Sequence, residues 1–137
     1  MRAHAAALLM ALACAMPHAA SAQTAPEQTA PAEEKSLPVA TILFEPQSAV
    51  LPFPALASLD ALATAMTGGT ARVEVHGFAG APGDLSSDAR RLSLRRCLSV
   101  REYLVAKGIA RERVILRPLG GAPAGAADRA DIFHVKR

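Results

Sequence analysis

The sequence predicts a two-layer α+β (α/β) sandwich, with helices packed on one face of a mixed sheet in the order β-α-β-α-β-β. Three observations lead there. Short stretches with apolar residues at alternate positions are interleaved with longer ones whose apolar residues recur every three to four positions. Glycines stand just past the helical stretches, at Gly68-Gly69 and at Gly108, where helices commonly stop. The patterned part, residues 38–137, is long enough to bury one modest core.

The first strand is Val39–Phe44, VATILF, and the turn-rich Glu45-Pro46-Gln47-Ser48 follows it. From Pro54 to Met66, Leu56, Leu59, Leu62, Ala63 and Met66 recur at helical spacing. Arg72–Phe78, RVEVHGF, alternates like a strand and leads into a Gly/Pro loop over Ala79–Leu85. Ser86, Ser87 and Asp88 are all good caps for the helix that comes next. Arg113–Leu119 alternates again, Gly120–Ala127 reads as loop, and Arg129–Lys136 is the last strand.

The stretch Arg90–Ile109, RRLSLRRCLSVREYLVAKGI, carries the most information. At about 100° per residue, Ser93, Cys97, Val100 and Leu104 form one narrow stripe, flanked by Leu92 and Tyr103. Arg91, Arg95, Ser99 and Glu102 form the opposite, wet stripe. Arg96 falls at the edge of the apolar half, beside Leu92, Val100 and Tyr103. A guanidinium there is expected to be half-submerged, and it calls for an anion or a good set of acceptors. The plainer alternative is a head that snorkels to water or pairs with a structural carboxylate. Leu94, Leu98 and Val105 lie on another face, where they either pack under the first helix or serve a protein partner.

Composition bounds the function classes. The chain has 15 Lys+Arg against 12 Asp+Glu and 4% aromatic residues, too mild a charge and too few stacking side chains for a nucleic-acid binder. The charge is uneven, however. Nine basic residues lie between Arg90 and Arg117, against Glu102 and Glu112 alone; such a face either meets an anionic partner or is simply solvated surface. Residues 1–22 read as a secretory signal peptide: Arg2, the apolar run Ala5–Ala15, and Ala20-Ser21-Ala22 before Gln23. Residues 23–37, rich in Ala, Pro, Glu and Gln, read as a flexible linker. No later stretch is apolar enough to span a membrane. Leu12-Ala13-Cys14 loosely resembles a lipobox, so lipid attachment at Cys14 is the alternative to cleavage before Gln23. Cys97, in the apolar stripe, is expected to be a small buried hydrophobe.

No enzyme constellation is legible. His76 and His134 lack partners at ligand spacing, the Gly-rich loops lack the Lys and Ser/Thr of a phosphate loop, and Ser86, Ser87 and Ser93 have no His and acid partners by spacing. Neither a metal nor a cofactor is expected.

Leu92-Ser93-x-x-Arg96-Cys97-x-x-Val100-x-x-Tyr103-Leu104-x-x-x-Gly108-Ile109 resembles the L-S-x-x-R-A-x-x-V-x-x-Y-L-x-x-x-G-I motif of a known family. That family comprises the peptidoglycan-binding domains of outer-membrane protein A and of peptidoglycan-associated lipoprotein. Phe44, Ser48 and Leu51 match its F-x-x-x-S-x-x-L, Val75–Phe78 the strand entering its G-[YH]-T-D loop, and Arg113-Val114 with Gly120 its third strand. Arg129-Ala130-Asp131-Ile132 resembles the second half of its R-R-V-E-I strand, with Asp128 in place of the first arginine.

The resemblance implies a periplasmic, cell-wall-associated module of a Gram-negative envelope, at or near the outer membrane. It implies that Arg96 holds the diaminopimelate carboxylate of a peptidoglycan stem peptide. An aspartate and an arginine on adjacent elements match that zwitterionic end charge for charge. The family's aspartate is missing, since Gly80 stands in its place. Asp84, or failing it Asp88, is the expected substitute, the plainer alternative being a turn residue at Asp84 and a helix cap at Asp88, while amides of the Ala79–Leu85 loop and the hydroxyls of Ser86 and Ser87 add hydrogen bonds. The alternative is an envelope protein–protein interaction module that kept the fold but lost peptidoglycan binding.

Overall fold

The structure, a computed structural model, describes residues 37–135; the expected signal peptide, Cys14 and residues 23–36 of the expected linker lie outside the described residues. The elements are β1 (Ala40–Leu43), α1 (Phe53–Met66), β2 (Val73–Phe78), α2 (Ser87–Ala106), a 3-10 turn at Arg111–Arg113, β3 (Val114–Gly120) and β4 (Arg129–His134). The order is the one the pattern predicts, with the 3-10 turn added ahead of β3.

Local chemistry explains the boundaries of the long helix. Ser86 Oγ accepts from the Ala89 amide at 3.2 Å, and Asp88 lies in the first turn, where a negative charge favours the helix dipole. At the other end Lys107 closes the helix through its amide to the Tyr103 and Leu104 carbonyls, and Gly108 then turns at φ +94°, a conformation that suits glycine. In α1, Pro54 sits in the first turn, where its missing N–H is no loss.

The sheet order is β1-β4-β2-β3. β2 and β3 are parallel, joined through α2, while β4 runs antiparallel to both β1 and β2. The last strand therefore inserts between the first two. This insertion brings the residues just before β4 beside the ends of β1 and β2. Ile42, Leu59, Met66, Val73, Val75, Val100, Leu104 and Ile132 belong to one apolar cluster between the sheet and the helices. By strand alternation the other face carries Thr41, Glu74, His76, Arg117 and Asp131, which pair across strands: Thr41 donates to Asp131 at 2.9 Å and Arg117 to Glu74 at 3.3 Å.

α2 lies close on β2. A Cβ at Gly77 would stand 2.5 Å from Cys97 Sγ and would also meet the Ser93 carbonyl, so this crossing needs glycine. Cys97 is fully buried, as the stripe predicts, and its thiol donates to the Val75 carbonyl at 3.4 Å. Burial pushes that thiol up to about 11.

Candidate functional site

The centre of the site is Arg96, which is 0% exposed and stands first by volume among the fully buried side chains. Four acceptors surround its guanidinium. Nε donates to the Ser48 carbonyl at 2.7 Å, Nη2 to the Glu45 carbonyl at 3.0 Å, and Nη1 both to the Phe78 carbonyl and to Asp128 Oδ1 at 2.8 Å. The Phe44 ring covers it, with Cζ 5.1 Å from the ring centroid. Four parts of the chain thus converge on one side chain: α2, the turn after β1, the end of β2 and the residue before β4.

This corrects the expectation of a half-submerged fork held out to a ligand. The turn over Glu45–Ser48 folds across the guanidinium and supplies two carbonyls, and Asp128 neutralises the charge. A buried arginine needs both kinds of partner, because its charge is costly to desolvate and each unpaired N–H adds a further penalty. Asp128 is the only side chain among the four acceptors, and that side chain is 30% exposed. Its own carbonyl accepts from the Phe44 amide at 2.8 Å, which fixes its backbone beside the end of β1.

The turn itself is firmly held. The Ser48 amide donates to the Glu45 carbonyl, the Val50 amide to Ser48 Oγ, and Ser99 of α2 donates to the Ala49 carbonyl at 2.6 Å. Gln47 sits within it at φ 58°, in the left-handed region that non-glycine residues seldom occupy.

The other expected site residues cluster at the loop after β2. Gly80 has φ +84°, and a Cβ built on it would stand 2.8 Å from Asp84 Oδ2. Asp84 therefore places its carboxylate where a side chain at position 80 would begin. Its Oδ1 accepts from the Ser86 amide at 2.8 Å. That amide, then the Ser86 hydroxyl, hold the Asp84 carboxyl below the usual carboxylate range, so it is ionised at neutral pH.

Ser86 caps α2 and Ser87 opens it, both exposed. Asp88 is exposed in the first turn. The expected loop amides are partly used inside the fold, a second correction: Ala79 N–H donates to Gly120, Gly83 N–H to Ala122 and Asp84 N–H to Ala81. The loop leans on residues 120–122, which accept from Ala79 and Gly83 and donate from Gly121 to the Asp84 carbonyl.

Among the described residues Arg96 pairs with Asp128, not with Asp84 or Asp88. Sequence reasoning missed this partner. The available signal was an acid standing where the resemblance has a base, read together with a near-core arginine that required an anion. Among the described residues no group of three His, Cys, Asp or Glu side chains is placed to hold a metal ion, and no helix is long and apolar enough to cross a membrane.

Comparison with known proteins adds an independent line. The model of the OmpA family matches residues 43–132. No curated protein sequence matches the chain. Among solved structures, the peptidoglycan-associated lipoprotein from Burkholderia pseudomallei superposes with a TM-score of 0.57 at 19% identity, covering 69% of this chain and 89% of that one. The C-terminal domain of Helicobacter pylori MotB gives 0.58 at 14% identity, with 72% and 86% covered. The periplasmic domain of the same protein gives 0.52 at 17%, with 67% and 69% covered.

Proposed function

The chain belongs to the OmpA family, and from that premise we propose that it is a non-covalent peptidoglycan-docking module of the periplasm. Family membership supports the ligand class. The likeness to a lipoprotein named for its association with peptidoglycan, and to a domain described as periplasmic, agrees with it. The chemistry required is recognition alone: charged and hydrogen-bonding groups meeting a peptide stem, with no bond made or broken.

The ligand group we assign is the diaminopimelate carboxylate, and Arg96 is its receptor. The observation that carries this reading is the asymmetry of the four acceptors around that guanidinium. Three are backbone carbonyls locked in the fold, and the fourth, Asp128, is a partly exposed carboxylate. A ligand carboxylate has the same charge and the same acceptor geometry, so it substitutes for Asp128 on Nη1 without uncovering a buried charge. Asp84, ionised and lying over Gly80, takes the ammonium of the same zwitterion, and the Ser86 and Ser87 hydroxyls border it. Attachment to the outer membrane, in this reading, comes from lipid on Cys14 or from a partner protein.

One observation favours a second reading. With Arg96 enclosed and no acid at Gly80, the same geometry suits an envelope protein–protein interaction module that kept the fold and lost the wall. Sedimentation with insoluble peptidoglycan separates the two. The exchange reading expects wild type to co-sediment and Asp128→Asn, which weakens the internal competitor, to bind several-fold more tightly. If neither protein sediments, the interaction reading stands.

A further inference from the structure

The basic face of α2 is not used up by Arg96. Beside the turn that encloses Arg96, on the outer side of the helix, lies an open groove of about 260 Å³ lined by Gln47, Asp88, Arg91, Leu92 and Arg95. Arg91 and Arg95 are one turn apart on the same stripe, so both guanidiniums face this space. Among the described residues the Arg95 guanidinium has no hydrogen-bond or ion-pair partner. Arg91 reaches Asp88 only at 3.8 Å, with side chains 72% and 91% exposed, too loose and wet a pair to neutralise it. The groove therefore keeps a net positive charge, with Leu92 as an apolar floor.

Its far wall is rigid for a reason already seen. Gln47, at φ 58°, belongs to the turn whose carbonyls at Glu45 and Ser48 are held by Arg96 and whose Ala49 carbonyl is held by Ser99. The buried arginine thus fixes the wall opposite two exposed ones. A side-chain amide across from two guanidiniums offers a donor and an acceptor to a peptide group, while the guanidiniums take its acid.

We infer that this groove is a second anion subsite, in which Arg91 and Arg95 hold a further carboxylate of the stem peptide and Gln47 bonds its backbone. The inference rests on peptidoglycan as the ligand. It assigns a function to the concentration of basic residues on α2, which recognition at Arg96 alone leaves without one. Arg96 is covered, so these two are the cations that an approaching acidic peptide meets first on this face.

The test uses the full mature chain and the double variant Arg91→Gln/Arg95→Gln, whose altered side chains are exposed, so its melting temperature should match that of wild type. In co-sedimentation with insoluble peptidoglycan the double variant is expected to bind at least tenfold more weakly. Binding equal to wild type overturns the subsite and leaves the peptidoglycan reading intact. Heparin serves as the generic polyanion: an equal loss for heparin and peptidoglycan overturns specificity for the stem peptide. If wild type itself fails to sediment, the peptidoglycan reading falls. A titration with the soluble tripeptide alanyl-γ-glutamyl-diaminopimelate, followed at the arginine Nε–H resonances, then decides the groove separately. Shifts at Arg91 and Arg95 uphold it, and their absence overturns it.

Discussion

In the first half of α2, Arg96 is sealed from water by three carbonyls, a carboxylate and an aromatic ring. In the last turn and the cap of the same helix, Tyr103 and Lys107 share Asp60 of α1 in the open, at 2.7 Å and 2.9 Å. Both clusters join α2 to another element through an acid and a base. They differ in what replaces the interaction when it is broken. At Asp60 water replaces it. At Arg96 nothing does, and the carbonyls of the β1–α1 turn are left facing a void. The same pair of charges is a requirement of the fold in one place and a modest addition in the other.

Removing Arg96 is expected to have the largest effect of any single change to either cluster. Arg96→Ala leaves Asp128 without its partner, takes the guanidinium from the carbonyls of Ser48 and Phe78 and leaves the Glu45 carbonyl with the Ser48 amide alone, and loss of one member of a buried pair costs about 3–5 kcal/mol. That is a large share of the ~5–15 kcal/mol that holds a typical domain folded. Urea unfolding followed by circular dichroism is expected to show a midpoint far below that of wild type, or no folded baseline at all. Arg96→Lys is expected to fare little better, since one ammonium cannot reach acceptors spread over a planar fork. A loss under about 1 kcal/mol for Arg96→Ala would place the enclosed cluster in the same class as the exposed one.

The next largest effect tests how Arg96 comes to be enclosed. Gly77 lets α2 settle onto β2, and the residue after it supplies one of the Arg96 acceptors. Gly77→Ala drives a methyl against Cys97 Sγ and the Ser93 backbone, and over-packing of this kind costs about 1–3 kcal/mol. The helix must lift, which also draws Arg96 away from the Phe78 carbonyl. Combining it with Cys97→Ala, the residue the family motif carries at that position, is expected to recover part of the loss. The Ser93 carbonyl, being backbone, keeps the remainder. Full recovery would mean that sulfur alone sets the helix–sheet distance.

Much of this was legible in the chain, for reasons that can be assigned to residues. Helix periodicity exposed the stripe Ser93-Cys97-Val100-Leu104, and all four are buried. Ser86 is the cap because a hydroxyl one residue before a helical run has one natural partner, an amide three residues on. The awkward place of Arg96 was visible too, because the wheel depends on local spacing alone. Its partner was not. Asp128 lies 32 residues away in sequence and reaches Arg96 only because β4 inserts between β1 and β2. Strand alternation fixes which face a residue takes, not which neighbour its strand chooses. The depth of Arg96 was misjudged for the same reason. The turn that covers it, Glu45–Ser48, carries no periodic signal, and its role lies in two backbone carbonyls that any sequence would possess. The groove beside it was foreshadowed only as an excess of charge on α2.

The smallest expected effect belongs to the exposed cluster and sharpens the contrast through pH. Lys107, then Tyr103, hold the Asp60 carboxyl below its ordinary 3.8, so folding is favoured by its ionised form. That contribution is present above the unfolded carboxylate range and lost as pH falls through the depressed value. Asp60 in turn holds both Lys107 and Tyr103 above their ordinary values. The alkaline limit follows: the contribution is complete below the usual titration of these groups and fades as pH rises through their raised values. Asp60→Asn is therefore expected to lower the melting temperature slightly at pH 7 and to converge with wild type as pH falls through the depressed Asp60 value and again at strongly alkaline pH. Added salt should shrink the difference at pH 7, since both partners are washed by ions. The Arg96 cluster answers differently, because its guanidinium is fully buried and most of its acceptors are backbone carbonyls: the deficit of Arg96→Ala should persist in high salt. If Asp60→Asn instead keeps a constant deficit from pH 7 down to the most acid pH at which both proteins still fold, the cluster at the end of α2 acts through packing, and burial alone no longer separates the two halves of the helix.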